Sequence, residues 1–242
     1  VKIRVAAVGD VHLGEDLRGR YRPRLDRIGE LADILLLAGD LTRHGTPEEG
    51  RVVADEFRDL PVPVVAVLGN HDYQSDAEDD IVGILRDAGI KVLQDDGLTI
   101  RIGEATLGLA GGKGFGGGFA GKCASEFGEP EMKAFVRHTR EIADLWRKAL
   151  KGLEADHRVV LSHYSPVKDT LIGEPLEIYP FLGSYLLAEA VDAEGADLVI
   201  HGHAHHGGEK GVTPGGVRVR NVALPVLGRA YAVYCLGGDD PD

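Results

Sequence analysis

Five short clusters combine residue types that bind metals, and each follows a stretch that reads as a β-strand. They are Gly9-Asp10-Val11-His12, Gly39-Asp40, Gly69-Asn70-His71-Asp72, Ser162-His163-Tyr164 and Gly202-His203-Ala204-His205. Their carboxylates, amide and imidazoles offer oxygen and nitrogen donors. None contains cysteine, which disfavours a structural thiolate zinc site. Asp10 and His12 are one residue apart, as are His203 and His205. In extended chain such residues point the same way, so each pair can face one point. The glycines before Asp10, Asp40, Asn70 and His203 allow a sharp turn or a close backbone approach. A lone Asp after a strand is ordinarily a helix cap or an Asx turn, and a lone buried His is ordinarily a satisfied core residue. Packing gives no reason for imidazoles to gather repeatedly at strand ends, so the joint pattern points to a metal site.

The elements that must position these clusters follow from periodicity. Val5 to Val8, Asp33 to Ala38, Val62 to Leu68, Arg158 to Leu161 and Asp197 to Ile200 read as strands, and the apolar run in Asp33 to Ala38 suits a buried parallel one. Between them, Pro23 to Ala32, Thr46 to about Leu60 and Asp76 to Ala88 read as helices. Thr46 is the expected N-cap of the second, with Pro47 at its first position and acids in its first turn. This order implies parallel strands joined by right-handed crossovers. In open α/β sheets, ligands bind beyond the carboxyl ends of the strands, so five clusters spread over nearly the whole chain can converge there. In the middle, Leu98 to Ile102 and Ala105 to Ala110 flank Gly103-Glu104 as a hairpin. A glycine-rich stretch begins at Gly111 and reads as a flexible cover loop. An amphipathic helix from about Glu131 to Leu153 follows. Leu182 to Val191 reads as a helix, and Val217 to Val222 and Ala230 to Leu236 as terminal antiparallel strands. The acidic tail from Gly237 to Asp242 is expected to fray. The reading is one domain over 1–242, with 111–153 as a cap or insert.

Composition restricts the partners. The 242 residues carry 39 acids against 27 bases, a formal charge of -12. An acidic surface opposes unspecific gripping of nucleic acid, which needs basic surface. It does not oppose a small anionic substrate, because bound divalent ions reverse the local field. Cys123 and Cys235 lie far apart, which argues against a disulfide framework and for a reducing compartment. No apolar run approaches the roughly 20 residues that span a bilayer, and the opening Val1 to Val8 reads as a strand and not a signal peptide. The expectation is a cytoplasmic protein with no membrane association. Exposed apolar parts of the long helix leave room for a homo-oligomer.

Taken in order, D-x-H, G-D, G-N-H-D, a lone H and G-H-x-H resemble the pattern of the calcineurin-like metallophosphoesterases, over residues 8 to 205. The resemblance implies a four-layer α-β-β-α sandwich with mixed sheets and a centre of two divalent metals. By position, Asp10, His12 and His205 would hold one metal. Asn70, His163 and His203 would hold the other, and Asp40 would bridge them. His71 would be the catalytic residue beside the metals. In the serine/threonine phosphatase branch the second cluster reads G-D-x-x-D-R-G; here Arg43 replaces the acid that orients the histidine, which argues against that branch and leaves open what orients His71. Imidazole and carboxylate ligands suit Mn first, with Fe, Zn or Ni as alternatives. Two such ions lower the pKa of a shared water and stabilise both oxygens of an in-line displacement. The hydroxide between them would be the nucleophile, and His71 the candidate general acid, or an electrostatic clamp if it stays protonated.

The expected activity is that of a phosphodiesterase on a small, nucleotide-like phosphate ester. The alternatives are a phosphomonoesterase with the same site, a metal-dependent nuclease, and a scaffold that has lost catalysis. Candidate substrate contacts are His44, Arg20 in the basic run Arg18 to Arg24, Phe115 and Phe119 in the glycine-rich stretch, and Tyr164. That stretch lacks a GxxxxGK[ST] pattern, so it is no nucleotide P-loop. Asp72 is a candidate cap or support for a ligand, and His201 a candidate support. His138 and His157 read as structural or surface residues.

Overall fold

Alternation along the apolar runs decides the architecture. The computed structural model describes residues 2–237, so the tail beyond Gly237 lies outside the described residues. Strands run over Ile3–Val8 (β1), Ile34–Ala38 (β2), Val64–Val67 (β3), Lys91–Val92 (β4), Asp96–Ile102 (β5), Ala105–Gly112 (β6), Gly118–Phe119 (β7), Lys122–Cys123 (β8), His157–Ser162 (β9), Leu198–His201 (β10), Lys210–Val212 (β11), Arg218–Asn221 (β12) and Ala232–Leu236 (β13). The α-helices are Ile28–Leu31 (α1), Pro47–Phe57 (α2), Glu78–Asp87 (α3), Pro130–Lys151 (α4), Tyr179–Leu182 (α5), Tyr185–Glu194 (α6) and Leu224–Leu227 (α7).

Two mixed sheets result, in the orders β13-β1-β2-β3-β4 and β11-β12-β10-β9-β6-β5. In the first, β1 to β4 are parallel and β13 runs against β1. In the second, β12, β10, β9 and β6 are parallel, with antiparallel β11 and β5 at the edges. Because successive side chains alternate faces, Leu35 and Leu37 face one layer while Ile34, Leu36 and Ala38 face the other. The first set packs with Val52, Phe57, Ile81 and Leu85 of α2 and α3. The second meets Leu107, Leu109, Val159, Leu161 and Ile200 of the opposite sheet. The far face of the second sheet, with Val160, Val199 and Val219, is covered by Trp146 and Leu150 of α4 and Leu187 and Val191 of α6. The layers are therefore α-β-β-α. Each fully buried aliphatic side chain contributes roughly 1.5–3 kcal/mol, so the three cores fix which sheet edge each loop leaves from.

Several local expectations change. Pro23 to Ala32 is broken into a 3₁₀ turn, Arg22–Leu25, and the short α1. Thr46 does cap α2, accepting from Glu49 N at 3.3 Å. Strand β12 is antiparallel to β11 but parallel to β10, and the last strand, antiparallel to β1, joins the other sheet. The glycine-rich stretch is no loose cover. Gly111 lies inside β6, and a side chain on Gly111, Gly116 or Gly118 would collide with backbone carbonyls of Leu161, Pro180 and Lys122. These glycines serve close backbone packing. Helix α4 is an outer layer of the sandwich: Ile142, Ala143, Trp146 and Leu150 are buried in its core. Trp146 is fully buried, and its Nε1–H donates to Asp95 Oδ1 at 2.9 Å. Among the described residues, no helix is long and apolar enough to cross a membrane.

Candidate metal centre

The parallel strands β1, β2, β3, β9 and β10 end at one rim, and the five clusters leave from those ends. Asp10 and Asp40 are buried there, 2% and 1% exposed. Ligand atoms of Asp10, His12, Asp40 and His205 lie within 4.8 Å of one another, and so do those of Asp40, His163 and His203. Asp40 belongs to both groups. The pairs one residue apart do not converge through extended chain as the sequence predicts. Asp10, His12, Asp40 and His203 have positive φ, at 56°, 44°, 50° and 72°. Left-handed turns aim these side chains, and such strained backbone persists where its surroundings over-determine it.

Neighbouring loops enforce those turns. A Cβ on Gly69 or Gly202 would run into the carboxylates of Asp40 and Asp10 respectively, so only glycine lets the chain pass so close. Asp72 is fully buried and binds the loops together. Its carboxylate accepts from Leu41 N, Thr42 N, Thr42 Oγ1 and Gly69 N at 3.2, 2.8, 2.6 and 2.8 Å. His201, also buried, joins Gly202 O and Thr170 Oγ1 at 2.7 and 2.8 Å.

The electrostatics suit a cation. Burial, with Asp40's charge added, pushes the Asp10 carboxyl up to about 6, against the His205 hydrogen bond. His205 is raised by that same bond, Nε2 to Asp10 Oδ1 at 2.8 Å. Burial drives the other way for the remaining imidazoles: His12 is lowered, His203 falls to about 3, and His163 lies well below its ordinary value. His163 is thus neutral, and its Nδ1–H donates to Ala38 O at 2.8 Å. Its bare Nε2 then faces Asp40 Oδ1 at 3.3 Å and Asn70 Oδ1 at 3.0 Å. Acceptors so close repel one another unless a positive ion lies among them, and buried carboxylates are costly without compensation. The donor set of Asp, Asn and neutral His fits divalent ions of intermediate softness.

His71 lies beside this set. Its backbone N–H donates to Asp40 Oδ1 at 2.8 Å, and its ring stands 4.5 Å from that of His12. Its Nδ1–H donates to the carbonyl of Arg43 at 2.8 Å, which turns Nε2 towards Asp40 Oδ2 at 3.9 Å. The group that orients His71 is therefore a backbone carbonyl. The Arg43 guanidinium is occupied with Asp16, at 2.9 Å.

The substrate candidates separate. Phe115 and Tyr164 line a cavity of about 590 Å³ that opens beside Asn70 and also holds Tyr73, Lys113 and His138. Tyr164 lies 4.4 Å from the His203 ring and 5.9 Å from Phe115. Phe119 is placed elsewhere, buried in a small core with Leu171, Tyr179 and Leu182. His44 bonds Glu49 Oε1 through Nδ1 at 2.9 Å. Arg20 is exposed, with its N–H closing a turn on Leu17 O at 3.0 Å. Its neighbours serve the fold: Arg18 pairs with Asp55, Arg22 reaches the carbonyls of Arg58 and Asp59, and Arg24 lies over Tyr21. Lys113 and His138 are the cavity residues that ligand-type reasoning passes over. Lys113 directly follows β6, so it obeys the strand-end rule; His138 stands three positions after Phe135 and four before Ile142, on one face of α4.

Residues 3–207 match the family model described as calcineurin-like phosphoesterase. The chain belongs to that family. It is a metal-dependent phosphoester hydrolase of a family built on a binuclear divalent centre. No curated protein matches this phosphoesterase. Solved structures share its fold. The phosphopantetheinyl hydrolase of Mycobacterium tuberculosis superposes with a TM-score of 0.63 at 16% identity, over 90% of this chain and 88% of that one. A putative 5'-nucleotidase from Staphylococcus aureus gives 0.62 at 18% identity, over 99% of this chain but only 51% of its own length. GAP50, described as the anchor in the inner membrane complex of Plasmodium, gives 0.59 at 11%, over 99% and 82%. At these identities the likeness is one of fold.

Proposed function

We propose that this phosphoesterase is a phosphodiesterase acting on small, nucleotide-like esters, with Asp10, His12 and His205 holding one divalent ion, Asn70, His163 and His203 the other, and Asp40 both. The observation that carries the reading is the walled cavity beginning at Asn70. Its size falls within the range of small-ligand sites, so an esterified group on phosphorus has somewhere to go. Mn is the first candidate metal. When bound, the ions supply Lewis-acid activation of water and of the phosphoryl oxygens.

The protein's own groups divide the remaining work. Asp40 carries a negative charge to the point shared by both donor groups. Asn70 faces both the centre and the cavity, and so orients an ester that occupies both. His71 is aimed by the Arg43 carbonyl, which leaves Nε2 as the nitrogen able to deliver a proton to the departing alkoxide. That delivery needs the doubly protonated ring, since Nδ1–H remains committed to Arg43.

A matched assay of the Mn-reconstituted protein tests the reading. Bis-p-nitrophenyl phosphate, p-nitrophenyl phosphate and 2',3'-cyclic AMP serve as substrates. A diesterase turns over the first or third with kcat/KM at least about tenfold above the second. A higher kcat/KM on the monoester overturns the diesterase assignment, and no turnover on any of them overturns the catalytic one.

A further inference from the structure

The cavity beside the centre contains a cation whose hydrogen-bonding capacity is mostly unspent. Lys113 leaves the end of β6, and its backbone is tied to the centre: its carbonyl accepts from His163 N at 3.1 Å and Tyr164 N at 3.0 Å. The side chain runs into the cavity, where Nζ lies 5.1, 5.0 and 5.2 Å from the ring centres of Tyr73, Phe115 and Tyr164. Three aromatic faces hold the ammonium in place by cation–π attraction. Its hydrogen bond is to Gly114 O, at 3.3 Å. An ammonium has three donors, so two N–H bonds have no protein acceptor among the described residues. Asp95 also lines the cavity; its charge and that of Asp40 act on Lys113 through space, its Oδ1 accepts from Trp146 Nε1, and among the described residues no carboxylate forms a direct ion pair with Lys113. Lys113 is half-buried, and the aromatic cage holds its ammonium at a fixed remove from His163, the ligand that follows β9.

We infer that Lys113 is a specificity-determining residue that binds a second anionic group of the substrate, a phosphate or carboxylate carried beyond the scissile phosphorus. The inference rests on the phosphoesterase reading of the adjoining centre, and it narrows the substrate to esters with two separated anionic groups. A charged donor held in place before the ligand arrives gains most of its interaction as affinity. The effect belongs in binding and KM, and not in the bond-breaking step.

Binding is measured by calorimetry at buffered free Mn, so that turnover is not the readout. The probes are ethylphosphonate with one anionic group, phosphonoacetate with an added carboxylate, and methylenediphosphonate with an added phosphonate. The wild-type protein is expected to bind at least one two-anion probe more tightly than ethylphosphonate by about tenfold or more; which one shows the type of anion. In Lys113→Met, which fills the cage without charge, that advantage shrinks to within about twofold while ethylphosphonate affinity is retained. The retained affinity shows that the variant is folded. An advantage that survives in K113M, an equal loss for all three probes, or no advantage in the wild type overturns the inference. Failure of the phosphoesterase reading shows separately, as absence of turnover on bis-p-nitrophenyl phosphate.

Discussion

Asp40→Asn separates the two jobs of the shared carboxylate, because its effect on stability should change sign with metal. In the metal-free protein, burial moves the Asp10 carboxyl from 3.8 up to about 6, against the His205 hydrogen bond and with a smaller push from Asp40's charge. At about 1.36 kcal/mol per pH unit, that displacement costs roughly 3 kcal/mol at neutral pH. Asp40 is the lesser cause, so removing its charge relieves about 1 kcal/mol. An asparagine can retain the acceptor for His71 N, which Asp40 Oδ1 meets at 2.8 Å. Metal-free D40N should therefore melt about 2–4 °C above the metal-free wild type. With metal the order reverses. A ligand at 1,000 times its Kd stabilises by about 4 kcal/mol per site, or about 8–16 °C for a chain of this size. The variant presents an amide N–H₂ or a neutral oxygen where both donor groups need an anion, so it should show less than about a third of that rise. Thermal melts with and without Mn, alongside metal content by elemental analysis, decide the matter. Equal metal-induced shifts, or two ions retained per chain by D40N, would refute the role of Asp40 in both groups.

His71→Ala should keep both metals but lose about 10²–10⁴-fold in kcat on esters with alkyl leaving groups. The loss should be much smaller with p-nitrophenolate, which needs no proton; an undiminished alkyl-ester rate sinks the acid role. Trp146→Phe removes the donor to the half-buried Asp95 carboxylate and leaves a void in the α4 core, so the unfolding free energy from urea melts should fall by about 2–4 kcal/mol. A change under 1 kcal/mol would mean that the indole bond contributes nothing. The Arg4–Asp33 pair, 2.7 Å apart, bears on pH. The Arg4 hydrogen bond lowers the Asp33 carboxyl below its ordinary value, so its stabilisation is complete above the unfolded pKa of about 3.9 and fades as pH falls through the lower folded value. Both side chains are partly exposed, which limits the pair to about 1 kcal/mol. Arg4→Met should thus melt below the wild type at pH 7, with the gap closing as the pH falls below the unfolded value of about 3.9 and through the lower folded one; a gap independent of pH would assign the loss to packing.

What the sequence makes legible here is governed by how local the determinant is. The strand Ile34–Ala38 is readable because five apolar residues in a row can only be buried on both faces, and they are. Thr46-Pro47-Glu48-Glu49 is readable because cap, proline and acids all act within one turn. The partner of Arg218–Asn221 is not local. Its alternation is the same whether it joins β13 or β10, and the choice rests on which sheet the long-range core demands. The glycines from Gly111 onward have the same ambiguity, since a glycine needed for close packing and one needed for mobility are the same residue. Only the carbonyls of Leu161, Pro180 and Lys122 across the gap distinguish them.

The candidate site divides along the same line. Residue types and strand ends bring Asp10, His12, Asp40, Asn70, His163, His203 and His205 into one reading, and the chain does gather them at one rim. The means of gathering is hidden: extended geometry explains a pair one residue apart, yet four of these positions take left-handed turns. The partner of His71 is hidden more completely. Its acceptor is the Arg43 carbonyl, and backbone carbonyls have no signature in sequence. Phe119 shows the converse error, since an aromatic beside a glycine run resembles a substrate contact until its burial against Tyr179 and Leu182 is known. Lys113 was within reach. It follows a parallel strand at the same sheet edge as His163, and the rule that ligands gather at strand ends applies to any residue there. Restricting that rule to metal-binding side chains excludes a lysine, whose ammonium donates hydrogen bonds and has no acceptor to offer a metal. The strand-end rule should therefore be applied before residue types are filtered, because the groups that select a substrate need not be those that hold its metals.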